Sequence, residues 1–136
     1  MTENQFVQDT NIQDDRYNCY HPIIPLQVFN SLVDSDDCEI NISIEYDIIQ
    51  ILPIFNNYLE WLKHCKNEVV EYFSKKIDEK LPKEWFENIE VYNFSFTLNN
   101  LDDFGATVFF GESIFVDHII ELDFEKYEIV DDGLNG

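Results

Sequence analysis

The sequence predicts an α+β domain in which an antiparallel sheet of about four to six strands packs on one long amphipathic helix. Three observations carry that expectation. Residues Cys38–Tyr46 alternate strictly between apolar and polar, which marks a half-buried strand. Apolar residues then recur at three- and four-residue spacing over about 25 residues, the stripe of an amphipathic helix. Further alternating runs, separated by turns of hairpin length, follow the helix. The order is β(β)-α-βββ(β). Strands joined by short turns pair antiparallel, and a lone helix would cover one face of their sheet.

In chain order, residues 1–15 are polar, acidic and aperiodic and read as a flexible acidic tail on a single domain spanning 1–136. Between Arg16 and Asn30, Pro22 and Pro25 exclude a helix and suggest an extended edge, with Ile24–Phe29 a short strand. Asp34, Ser35, Asp36 and Asp37 mark a turn. On the strand that follows, Ile40, Ile42, Ile44 and Tyr46 share one face, and Glu39, Asn41, Ser43, Glu45 and Asp47 the other. Pro53 suits the first turn of a helix over about 53–81, and Pro82 would end it. Its stripe is Phe55, Tyr58, Leu59, Leu62, Cys65, Val69, Tyr72, Phe73 and Ile77. In Glu90–Leu98 the residues Tyr92, Phe94, Phe96 and Leu98 share a face, and in Gly105–Phe110 so do Ala106, Val108 and Phe110. Val116–Phe124 sets His118, Ile120, Leu122 and Phe124 against Asp117, Ile119, Glu121 and Asp123. Tyr127–Val130 reads as a last short strand before a turn at Asp131-Asp132-Gly133.

The 28 acidic and 8 basic side chains leave a net charge of −20. Solubility of a small domain needs a magnitude of only about 2–8. Residues 1–60 carry −10 and residues 84–136 carry −12, while residues 61–83, with six lysines, carry +2. Hydrophobic residues make up 45% of the chain and aromatic residues 15%, too much for a disordered acidic segment. The acidity argues against direct binding of nucleic acid or an anionic membrane, both of which need a basic surface. No apolar run reaches the roughly 18–20 residues of a membrane span, and MTENQFVQDT has no signal-peptide character, so a cytoplasmic protein is expected. Cys19, Cys38 and Cys65 are odd in number and form no CxxC pair, consistent with reduced thiols.

No chemistry-bearing motif emerges. From Asp34, positions 5 and 6 of an EF-hand loop would be Cys38 and Glu39, so the calcium pattern fails. His21, His64 and His118 are scattered, there are four glycines and no phosphate loop, and GxSxG and HExxH are absent. No cofactor and no enzymatic activity are expected. The Asn-x-Ser sequences at Asn41 and Asn93 fall inside strands. Trp61, one position off the helical stripe, and Trp85, in the connector, are candidate anchors for a partner.

The run Phe104–Gly111, the strand Val116–Phe124 with its His118, and the closing Glu128–Gly136 together resemble the last hairpins of small bacterial immunity proteins of polymorphic toxin systems and related domains of unknown function. That resemblance implies an α+β protein that binds and neutralises a toxin delivered between bacteria. The expected function is therefore an immunity-type inhibitor, a monomer or weak homodimer, that binds a basic, nuclease-like toxin domain. Its acidic surface would comprise Glu39, Glu45, Asp47, Asp117, Glu121 and Asp123, with Trp61 and Trp85 as anchors. Two other readings are a small enzyme or ligand-binding domain with a pocket around His118, and an acidic mimic of nucleic acid.

Overall fold

A seven-stranded sheet carries both helices on one face. The computed structural model describes residues 1–77 and 80–135, with Asn135 through its backbone; Asp78 and Glu79, expected inside the helix, and Gly136 lie outside the described residues. The strands are β1 (Phe6–Gln8), β2 (Tyr17–Pro22), β3 (Leu26–Val28), β4 (Ser31–Val33), β5 (Cys38–Ser43), β6 (Glu90–Asn100), β7 (Asp103–Gly111), β8 (Ile119–Glu125) and β9 (Glu128–Asn135). The helices are α1 (Ile48–Lys63) and α2 (Lys66–Lys76). The large sheet runs β1-β2-β5-β6-β7-β8-β9, and β3-β4 form a separate hairpin.

The α+β class holds, but the sheet is mixed. β5 and β6 pair in parallel, with Cys38 opposite Phe94 and Ile42 opposite Leu98. Parallel neighbours need a crossover, and both helices lie in the segment that supplies it. The single helix expected over 53–81 is two. The Leu62 carbonyl, which a continuous helix would offer to Lys66, instead accepts the Phe29 N–H (3.3 Å) and the Cys65 thiol (3.4 Å). α1 also starts earlier than expected. It follows Asp47, whose N–H donates to Gln50 Oε1 (2.8 Å), and Pro53 stands inside it on the exposed side. Pro82 does not end α2; the chain leaves the helix at Ile77.

Other expectations shift at the edges. Part of the expected tail is strand: Phe6–Gln8 pairs with Tyr20–Pro22, and the Phe6 ring meets Phe55 edge-on at 5.6 Å. The proline-bearing stretch yields β2 and the short β3 rather than one strand at Ile24–Phe29. β5 stops at Ser43, leaving Ile44 56% exposed. A bulge between Val91 and Asn93 turns Tyr92 away from the core and buries Val91 instead. The alternation of β8 begins at Ile119, so Ile120, Leu122 and Phe124 are buried while His118 is exposed. Asp131, Asp132 and Gly133 lie within β9 and form no turn.

The core lies between the sheet and α1-α2. Ile40, Ile42, Phe96, Leu98, Val108, Phe110 and Leu122 meet Phe55, Tyr58, Leu62, Val69 and Phe73, all buried. The β3-β4 turn inserts Phe29 between Phe86 and Phe110, its backbone in the left-handed region at φ 56°. That conformation is unfavourable for a bulky residue, so the surrounding packing must hold it. Among the described residues no helix is long and apolar enough to cross a membrane.

Candidate binding face

Among the described residues, no helix lies on the second face of the sheet. Strand alternation sends every other side chain there, and register aligns those side chains in rows across β5–β9. One row is Glu39, Ser95, Thr107, Asp123 and Asp131. Its neighbour on one side is Asn41, Thr97, Gly105, Glu125 and Glu128. On the other side Asn93, Phe109, Glu121 and Gly133 align. Adjacent strands lie about 4.8 Å apart, and same-face residues along one strand about 6.8 Å apart. No lysine or arginine occupies these positions, and five carboxylates crowd the β8-β9 end.

Gly105 shapes the middle of this face. A Cβ there would fall 2.2 Å from the Phe124 carbonyl oxygen, so any larger residue would force the strands apart. The hollow above it, about 230 Å³, is bordered by Thr97, Asn99, Asp103, Thr107, Asp123 and Glu125. Thr107 Oγ1 donates to Asp123 Oδ1 at 2.8 Å and fixes that carboxylate. Asp123 and Asp131 stand directly opposite each other, and so do Glu125 and Glu128 at the hairpin. Like charges in such cross-strand positions cost stability, by about 0.2–1 kcal/mol each.

The lysines lie elsewhere. Lys63, Lys66, Lys75 and Lys76 are on the helices, and Lys126 leans over the Phe104 ring on the core side. Lys76 Nζ meets Asp132 at 3.1 Å, and the Tyr72 hydroxyl also donates to Asp132, which tie α2 to β9. At the opposite corner His21 Nδ1 lies 2.8 Å from the Cys38 carbonyl and Nε2 lies 2.9 Å from the Asp9 carboxylate. In the protonated ring both nitrogens donate. His21 therefore titrates above its usual value, first through the Cys38 carbonyl and then through Asp9, with burial opposing. The hydrogen bond from His21 is the largest cause holding Asp9 below the usual carboxylate value.

Of the residues singled out in the sequence, Glu39, Glu121 and Asp123 share this face. Glu39 accepts the Cys19 thiol at 3.5 Å. Glu45 and Asp47 do not project from β5, because the strand has ended; Asp47 precedes α1. Asp117 is exposed in the turn before β8. Trp61 is half-buried, edge-on to Phe124 (5.7 Å) and Tyr127 (5.2 Å). Trp85, 1% exposed, is core and cannot anchor a partner. The exposed His118 does not line an inner pocket. Asp103, Glu125, Glu128 and Asp131 were not singled out. The alternation from Ile119 continues to Glu125 and could have revealed that residue, whereas the Lys126-Tyr127 turn lacks the glycine or asparagine that signals a tight hairpin.

Burial pushes the thiols of Cys19, Cys38 and Cys65 up to about 12, with acidic neighbours adding to it, so they stay protonated. Among the described residues no group of three or more His, Cys, Asp or Glu side chains is placed to hold a metal ion. No protein-family model matches the chain, and no match is found among the curated proteins or the solved structures. The arrangement suits electrostatic recognition by a rigid surface.

Proposed function

We propose that the chain is an immunity-type binding protein that neutralises a basic, nuclease-like toxin domain through the open acidic face of its sheet. The carrying observation is the direct opposition of Asp123 and Asp131 across β8-β9 on a face whose rows across β5–β9 contain no lysine or arginine. A sheet selected for stability alone would place a lysine at one of these positions. A partner's arginines or lysines would turn the repulsion into attraction on binding. Cationic surfaces that hold nucleic-acid phosphates are the natural complement to rows of carboxylates, and complementary fields raise association rates.

The test is stopped-flow association with a basic, nuclease-type toxin domain, taken from the gene neighbourhood of this chain where one is encoded. The association rate is expected to fall at least about tenfold between low and physiological salt. Asp131→Asn should slow association several-fold while raising the melting temperature by a few degrees, because one cross-strand repulsion is removed. Asp117→Asn, away from the face, should change the rate less. Association indifferent to both salt and Asp131→Asn would overturn the proposal.

A further inference from the structure

Resting on this reading, the geometry points to a second mode of contact: β9 accepts an extended basic segment of the partner as an added antiparallel strand. β9 is the last strand of the sheet and, at eight residues, its long edge; the opposite edge, β1, has three. Eight residues present about 27 Å of strand. The Asp132 N–H is not spent on β8. It donates to the Asp131 carboxylate at 2.9 Å, a side chain standing where a neighbouring strand's carbonyl would sit. Val130 and Leu134 are 51% and 53% exposed. Solvated apolar side chains are unusual on an edge guarded against pairing, and here they supply contact area for an incoming strand.

The charges decide which strand can enter. A second copy of this chain would bring its own Asp131 against the same residue, on a molecule of charge −20, whereas Asp132 is already paired with Lys76. A basic strand meets the opposite situation, so one set of acids rejects the copy and admits the partner. The two sides of β9 also differ. On the open face, Asp131 stands beside Asp123, with Glu121 in the next row. On the helix side lies a groove of about 730 Å³ in which Tyr72, Tyr127 and Ile129 offer apolar contact among the charged Glu68, Glu71, Lys75 and Lys76. The matching segment alternates basic residues, facing the acids, with apolar residues, facing the groove.

The probe is a short peptide alternating Lys and Val, titrated into the full chain at low salt and read by backbone amide exchange. Two further versions carry N-methyl groups on alternate backbone nitrogens, in opposite phase. Exchange of the Asp132 amide is expected to slow at least about tenfold, and only one methylated phase should lose binding, by about tenfold or more. A Glu-Val peptide should not bind. If the Lys-Val peptide binds with β9 exchange unchanged and both methylated phases equal to the parent, strand addition is wrong while recognition by the acidic face survives. If the Lys-Val peptide does not bind at low salt, both fall. Concentration-dependent self-association that protects β9 would make a second copy the occupant and overturn the proposal.

Discussion

Trp85 sits against Phe73 at 5.3 Å between ring centres, and its buried indole N–H has no hydrogen-bond partner among the described residues. The ring contributes burial while the unpaired donor costs stability, and the two effects can be separated. Trp85→Ala removes both and leaves a cavity, with an expected loss of about 3–5 kcal/mol. Trp85→Phe keeps most of the packing and removes the unpaired donor, so its loss should stay below about 2 kcal/mol. Urea unfolding of the two variants checks this; equal losses would mean that the phenyl ring does not preserve the packing of the indole. In sequence, Trp85 lies among Lys83, Glu84 and Glu87 and looks like an exposed connector residue. Nothing local shows that residues 83–89 fold back over the end of the core, because that contact is made with distant elements. Charged neighbours describe the solvent side of a segment and are silent about its other side.

At the level of elements, β1 is held by three backbone pairs to β2 and by the contact between His21 and Asp9 just beyond them. His21 has its value raised above 6.5, so its contribution is complete below 6.5 and is lost as pH rises through the raised value. Asp9 has its value lowered from 3.8, so its contribution is complete above 3.8 and is lost as pH falls through the lowered value. The pair is at full strength between those limits. His21→Gln should lower the melting temperature most near about pH 5 and progressively less towards about pH 9. A difference that grows in the alkaline range would contradict this. β5–β8 were legible because half-buried strands alternate. β1 was not, and β9 was legible only at its start, as the strand expected over Tyr127–Val130: both are edges, where burial imposes less pattern on the sequence. β9 also follows a turn in which Lys126 takes φ 51° without the usual turn residue. The break between α1 and α2 was hidden too, since its cause is a hydrogen bond from Phe29, more than thirty positions earlier.

Across the whole molecule, the charge of −20 separates by layer. The helical lysines are each paired with a carboxylate, Lys63 with Glu60, Lys66 with Glu87, Lys75 with Glu71 and Lys76 with Asp132. The carboxylates in register on the open face share their rows with no lysine or arginine, so the molecule presents an oriented field. The acidic surface was half legible, since alternation showed which side chains leave the core but not which strands lie side by side. That adjacency has a consequence for how the chain acquires its structure. β6–β9 each pair with their neighbour in sequence, whereas the parallel β5–β6 seam must close the long segment between Ser43 and Glu90. Closing a long loop costs entropy before its contacts form, so the four-strand meander should organise first and the N-terminal strands dock onto it afterwards. Val108→Ala in β7 should then chiefly slow folding, and Ile42→Val in β5 should chiefly speed unfolding, as chevron measurements would show. The proposed binding edge thus belongs to the part of the chain that forms early, while the parallel seam is the slow step that completes the domain.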